Sequence, residues 1–259
     1  MTRIAGYELI ASPCCRKIYA QARFSSVNFS ASAFWTDGKR ENSLMPNDGG
    51  LRKCECGTFF IMSECTTTGL DAGDKPYFAK HLHDSDLPLA IQSASSQKVE
   101  LAARRAYWMH LNDSYRGIYI AHRAAEQEAT QLKWASDWHR ANPDKRNSFK
   151  RFIDKLLFRT RTRTSAPPAP QVPISFPSFE PTEIQRKNMI RLIELVESES
   201  ESYVKEYPIE LAELYRELGM FDKASALING IKIENQDVVT NLILDLCHKK
   251  ISAPVRYRY

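Results

Sequence analysis

Four of the chain's six cysteines stand in two tight groups, Cys14-Cys15 and Cys54-Glu55-Cys56. No other feature restricts the fold as much. Two thiol-bearing turns, each joining short strands, make a ribbon that closes on one metal ion. Zinc takes four tetrahedral thiolate or imidazole ligands, and cysteines spaced Cys-x-x-Cys curl around it with both sulfurs aimed inward. Here that spacing is absent. The first turn reads Ser12-Pro13-Cys14-Cys15 and the second Lys53-Cys54-Glu55-Cys56-Gly57. Read against the usual turn, each lacks its outer cysteine and holds one inside it, which makes Cys14 and Cys54 the displaced pair. Two readings stay open. In one, zinc is held by Cys14, Cys15, Cys54 and Cys56, with Cys65, His81 or His83 as substitutes. In the other, a ribbon-shaped fold has lost its metal and keeps Cys15 and Cys56 as buried thiols. Catalytic zinc is not indicated, because His81-x-His83 has no acidic partner at motif spacing.

The N-terminus lacks an apolar leader segment. A cytoplasmic setting with reduced thiols is therefore expected, so the cysteines read as ligands or buried thiols rather than disulfides. The longest apolar runs, such as 87–91, fall far short of the ~20 residues of a membrane span. With 43% apolar and 26% charged residues and a net charge of +5, the 259-residue chain has the balance of an ordinary globular protein.

Residues 1–65 read as a small β-module of three strands. Tyr19–Phe24 and Asn28–Trp35 alternate with the period-two pattern of half-buried strands, and 58–62 is a short apolar strand leaving the second cysteine turn. Such a module is too small to hold together on its own core, so a metal or the rest of the chain must help. Residues 66–164 form a helical region after a loop-like start at 66–73. Val99, Ala102, Ala103, Ala106, Tyr107 and His110 share one face of a first helix. Ser114 is placed to cap a second running to about Trp138, and a third spans 148–159. Residues 165–181 hold six prolines and form an extended strap, with Phe176 and Phe179 to bury against the folded surface. The C-terminal region, 182–259, opens on a capping box, Thr182-Glu-Ile-Gln185, before a helix with Ile184, Met189, Leu192, Ile193 and Val196 on its apolar face. Helices at 208–218, 221–228 and 235–250 follow, with Gly219 ending the first of these. The fold class is α+β: a zinc-ribbon-like β-module on a mainly helical body.

Around the cysteines, Ser26-Val-Asn28 through Trp35-Thr-Asp37-Gly38 resembles a segment of a group of uncharacterised bacterial proteins that carry a Cys-Pro-x-Cys ribbon. Further matches are Glu100…Arg104…Trp108…Asn112-Asp113…Arg116 and Ala212-Glu-Leu-Tyr-Arg-Glu-Leu-Gly-Met-Phe221. The matches are short and scattered over most of the chain, and they depart at Ser12 and Lys53, where the group has cysteine. The resemblance implies architecture rather than a chemistry. Within the last stretch, Leu214-Tyr215…Leu218-Gly219…Phe221…Ala224 also resembles the turn of a tetratricopeptide repeat. With no second copy about 34 residues away, it reads as a single helical hairpin.

Between Arg140 and Arg163 lie nine basic residues (Arg140, Lys145, Arg146, Lys150, Arg151, Lys155, Arg159, Arg161 and Arg163) against two Asp. With Phe149, Phe152, Ile153 and Leu156 on the same helix, this stripe binds phosphates, lies on a membrane surface, or is a solvated face balanced by the acidic 180–217 segment. No phosphate loop, nucleophile elbow or paired-carboxylate motif is present. The expectation is a non-catalytic module that binds another protein, with zinc as a structural metal. The alternative is a nucleic-acid-binding protein that uses the ribbon and the 140–163 helix, with steeply salt-dependent affinity.

Overall fold

The computed structural model describes residues 2–44, 50–71, 77–142, 167–170, 174–198, 208–231 and 238–258. The chain divides into two compact units, one of residues 1–114 with 179–259 and the other of residues 115–178. The architecture is α+β, with small antiparallel sheets at the N-terminus and a helical body.

In the first unit the β-module is larger than three strands. Strands β1 (Arg3–Ala11), β2 (Ile18–Ser26), β3 (Ala33–Trp35), β4 (Arg40–Glu41), β5 (Leu51–Lys53), β6 (Phe59–Ile61), β7 (Thr66–Asp71), β8 (Lys80–His81) and β9 (Arg256–Tyr257) make three sheets. Their orders are β2-β1-β7, β4-β3-β9 and β6-β5-β8. The loop-like Thr66–Asp71 is a strand because β1 offers it a partner: Leu9 pairs with Gly69 and Ala11 with Thr66. Only the end of Asn28–Trp35 is extended into a sheet, with Phe34 and Trp35 paired to Tyr257 and Arg256 at the far end of the chain.

Helices α1 (Leu87–Gln92) and α2 (Gln97–Leu111) follow, the second capped by Ser96, whose hydroxyl accepts from the Val99 N–H at 3.2 Å. Helix α2 buries two faces rather than the single one expected. Val99 and Ala103 pack on Phe59 of β6, while Leu101 and Trp108 join the C-terminal helices. Those are α4 (Glu183–Ser198), α5 (Pro208–Glu217), α6 (Phe221–Asn229) and α7 (Val238–His248), reading the described helices in chain order after α3 (Asp113–Ala141). The capping box forms in both directions: Gln185 N–H donates to Thr182 Oγ1 at 3.3 Å, and Thr182 N–H to Gln185 Oε1 at 2.8 Å. Ile184 departs from the expected apolar face and is exposed, one position off the stripe of Met189, Leu192, Ile193 and Val196. Gly219 adopts φ +78°, which lets its N–H and that of Met220 close the end of α5 on the carbonyls of Arg216 and Tyr215. Helices α5 and α6, on either side of that glycine, pack into one core cluster.

Helix α3 begins at Asp113, and Ser114 Oγ donates to the Leu111 carbonyl instead of capping; from Tyr115 on, the helix belongs to the second unit. The described part of the proline strap runs back along this helix without regular structure of its own. Trp134 Nε1 donates to the Pro167 carbonyl at 2.9 Å and Tyr115 Oη to that of Pro177 at 3.3 Å, with Phe176 stacked on Tyr119 between them. The helix expected at 148–159 lies outside the described residues.

Candidate metal centre

Each cysteine group sits at the mouth of a β-hairpin, and backbone hydrogen bonds rather than cysteine spacing set both turns. In the β1–β2 hairpin, Ser12 N–H donates to the Lys17 carbonyl at 2.9 Å and Arg16 N–H to the Ser12 carbonyl at 3.1 Å, with Arg16 at φ +60°. In the β5–β6 hairpin, Cys54 N–H donates to the Thr58 carbonyl at 2.8 Å and Gly57 N–H to the Cys54 carbonyl at 2.9 Å, with Gly57 at φ +87°. Both turns reverse through one left-handed residue, at a steric cost for Arg16 and at none for Gly57.

The two turns face each other across a small core of Ile10, Tyr19, Cys54, Phe60, Met62 and Ala79. The sulfurs of Cys14, Cys15, Cys54 and Cys56 all lie within 4.8 Å of one another. Cys15 and Cys54 are 3.4 Å apart, Cys14 and Cys56 3.5 Å, and Cys14 and Cys15 4.0 Å. A tetrahedral thiolate site with metal–sulfur bonds of about 2.3 Å has sulfur–sulfur edges of about 3.8 Å. These separations bracket that edge, so the four cysteines lie close enough to hold a metal ion.

The electrostatics point the same way. Burial opposes ionisation of Cys54, but the Tyr19 hydroxyl, the Cys56 backbone N–H and the Cys14 and Cys15 thiols outweigh it and bring its pKa down to about 6. Cys14 is pushed up to about 12, first by desolvation and, against the lowering effect of the Ser12 hydroxyl, by Cys54 and Cys56. The Thr58 hydroxyl and N–H lower Cys56. One thiolate thus suppresses ionisation of a neighbour, and a cation at the centre removes that penalty.

Two side chains brace the sulfurs. Tyr19 Oη donates to Cys54 Sγ at 3.2 Å and accepts from the Glu55 N–H at 3.1 Å, and its ring stacks on Phe60 at 5.9 Å. Ser12 is fully buried, with its hydroxyl 3.6 Å from Cys15 Sγ and 3.8 Å from Cys54 Sγ. The sequence reading identified neither role. The pairing also reorders the cysteines. Cys54, read as displaced, is the buried and best-braced one, while Cys15 and Cys56, read as the buried thiols, are exposed together with Cys14. The physical reason is the Tyr19 hydroxyl and the β5–β6 turn, which hold position 54 inward. Of the substitutes, Cys65 packs beside this core with its thiol pushed up to about 11, mainly by burial. His81 pairs with Arg52 in the β5–β8 ladder, and His83 opens the turn before α1. None of the three joins the cluster among the described residues.

The stretches that carry the family resemblance meet elsewhere in the same unit. Glu213 and Arg216 form a fully buried two-pronged pair at 2.7 and 2.5 Å. Arg216 also donates to the carbonyls of Ala253 and Ile251 and to Thr36 Oγ1. Beside it, Glu217 accepts from Trp108 Nε1 at 2.8 Å and from Asn112 Nδ2, which also donates to Asp37 Oδ2 at 3.0 Å. Burial above all, then the charges of Glu213 and Asp37, hold the Glu217 carboxyl well above the usual carboxylate range. This network fastens β3, α2, α5 and the C-terminal segment to one another. Nearby, Asp113 pairs with Lys39, and Glu100 with Arg104 and Arg191.

Of the nine basic residues of the phosphate-binding alternative, Arg140 is described, as an exposed side chain 3.4 Å from Asp137. Lys145, Arg146, Lys150, Arg151, Lys155, Arg159, Arg161 and Arg163 lie outside the described residues. No described helix is long and apolar enough to cross a membrane. No family model, curated protein or solved structure matches the chain.

Proposed function

We propose that this chain is a non-catalytic module that binds another protein, and that a structural zinc ion held by Cys14, Cys15, Cys54 and Cys56 closes its N-terminal ribbon. The convergence of four cysteine sulfurs within 4.8 Å carries the reading. Four thiolates saturate a tetrahedral ion, and a site saturated by protein has no position for water or substrate, which is the mark of a structural centre. Thiolate donors at a tetrahedral centre favour zinc over the hard cations. A contact surface lies close by. Ile18 and Phe78 are half exposed on one face of the β1–β2 sheet, with Phe78 edge-on to Tyr7, which pairs with Ala22. Apolar side chains rimmed by charge are the usual composition of a protein contact.

Elemental analysis with thiol counting tests the metal, and about one zinc per chain with four thiols protected until the protein is denatured is expected. Metal-free protein with reactive Cys14 and Cys56 would overturn it. For the binding role, the purified full chain should capture a stoichiometric protein partner, and Ile18→Asp or Phe78→Asp should release it. Capture of no stoichiometric partner, or of one indifferent to both substitutions, would refute this role.

A further inference from the structure

The two turns together offer five side chains to a four-coordinate centre if Ser12 is counted with the cysteines. Ser12 Oγ lies 3.6 Å from Cys15 Sγ and 3.8 Å from Cys54 Sγ. Those separations match three of the sulfur–sulfur separations themselves, 3.4, 3.5 and 4.0 Å. Position 12 is also the anchored one. It is fully buried, and both its N–H and its carbonyl are held across the hairpin mouth, by Lys17 and Arg16. Cys14 stands two residues on, at the exposed tip, and reaches the cluster from outside, 3.5 Å from Cys56 Sγ. A neutral hydroxyl competes poorly with thiolate for a thiophilic ion. Its proton instead suits a hydrogen bond to a ligating sulfur, the way outer groups orient metal ligands.

We propose that Ser12 stands in the place of a metal ligand: its hydroxyl orients the sulfurs of Cys15 and Cys54, Cys14 supplies the fourth thiolate from the tip, and a thiol at position 12 would displace Cys14. The inference rests on the reading of the cluster as a metal site. It makes Ser12 a positioning residue and Cys14 the exchangeable ligand, the reverse of what a Cys-x-x-Cys register implies.

Cobalt(II) titration of the reduced, full-length protein tests it, because thiolate-to-cobalt charge-transfer intensity counts the bound sulfurs. The wild type should give a tetrahedral four-thiolate spectrum. Cys14→Ala should fall to about three-quarters of that intensity, one ligand of four, and bind more weakly. Ser12→Cys/Cys14→Ala should regain the full intensity and most of the affinity. Ser12→Ala should keep the four-thiolate spectrum and lose about 10-fold or more in affinity, the usual size of an outer-group loss. The single variant Ser12→Cys adds an independent readout: with metal bound, alkylation should map to Cys14 and spare the introduced thiol. A double variant no better than Cys14→Ala, alkylation that spares Cys14, or wild-type affinity in Ser12→Ala would overturn the proposal. A wild-type protein without a thiolate–cobalt spectrum would instead defeat the metal reading itself, and this proposal with it.

Discussion

Glu213 and Glu217 lie one turn apart on α5, both fully buried, yet loss of charge at the two sites should have opposite consequences. Glu213 grips Arg216 with both oxygens, at 2.7 and 2.5 Å, and Arg216 has no exposed surface. Its other acceptors in this network, the carbonyls of Ala253 and Ile251 and the Thr36 hydroxyl, are neutral. Glu213→Gln therefore removes the bonded anion from a buried guanidinium and should cost about 3–5 kcal/mol. Glu217 differs because burial first, and then the charges of Glu213 and Asp37, push its pKa well above the usual carboxylate range and so favour its protonated form. A protonated carboxyl and an amide present the same pattern, one acceptor oxygen and one donor. Oε2 keeps the 2.8 Å bond from Trp108 Nε1 and the 3.1 Å bond from Asn112 Nδ2, and protonated Glu217 and Gln alike give up the 3.2 Å contact of Asn112 Nδ2 with Oε1. The pKa of Glu217 is raised above its unfolded value of about 4.3. Its contribution to stability is thus complete below that value and is lost as pH rises through the folded pKa. Glu217→Gln escapes this loss. It should match wild type within about 1 kcal/mol at pH 5 and exceed it at pH 8. Urea unfolding followed by tryptophan fluorescence at both pH values measures these differences. Comparison at equal pH cancels any pH-dependent change in metal content. A Glu213→Gln protein within about 1 kcal/mol of wild type, or a Glu217→Gln deficit that grows with pH, would refute this account of the network.

Tyr19→Phe removes the hydroxyl that donates to Cys54 and accepts from the Glu55 N–H, and should weaken zinc binding about 10–100-fold; competition against a chromophoric chelator reads this, and unchanged affinity would deny the hydroxyl its role. Arg16→Gly should stabilise the protein by about 1 kcal/mol, since glycine accepts the φ of +60° freely, and a lowered melting temperature would mean that the arginine side chain contributes more than its backbone costs. Chelation should raise hydrogen exchange in β1, β2 and β7 before β5 and β6, because Phe59 pins the latter hairpin to α2; simultaneous loss of protection in both sheets would contradict that ordering.

What the sequence makes legible here is local. Thr182 and Gln185 announce a capping box because both partners sit three residues apart, and Gly219 marks a helix end because only its own φ is at issue. Elements that depend on distant partners are not legible in this way. Thr66–Asp71 becomes a strand through β1, nearly sixty residues back, and Arg256–Tyr257 through β3 at the other end of the chain. Ile184 fits an apolar helix by composition, but its position on the turn faces outward. At the site, the cysteines are visible by type, while Ser12 and Tyr19 matter by position. A serine before a proline and a tyrosine in a strand carry no signal until the second hairpin faces the first. The buried Glu213–Arg216 pair is likewise hidden, since three separate stretches must meet to satisfy the guanidinium.

The departure from Cys-x-x-Cys need not mean that the site is lost. That spacing works because it lets one tight turn aim two sulfurs at a point, and a β-hairpin mouth with a left-handed residue can do the same from other registers. In the second turn the pair is one residue closer, yet Cys54 N–H and carbonyl are fixed by Thr58 and Gly57, and Cys56 still reaches the cluster. In the first, the anchored position 12 carries a hydroxyl, and the thiol stands at the tip. The turns belong to two sheets that share no ladder among the described residues. The six-residue core between them is too small to join those sheets firmly on its own. A metal bound by both turns would add the bond that burial alone does not supply, which gives a physical reason for four thiols to converge where neither turn keeps the usual spelling.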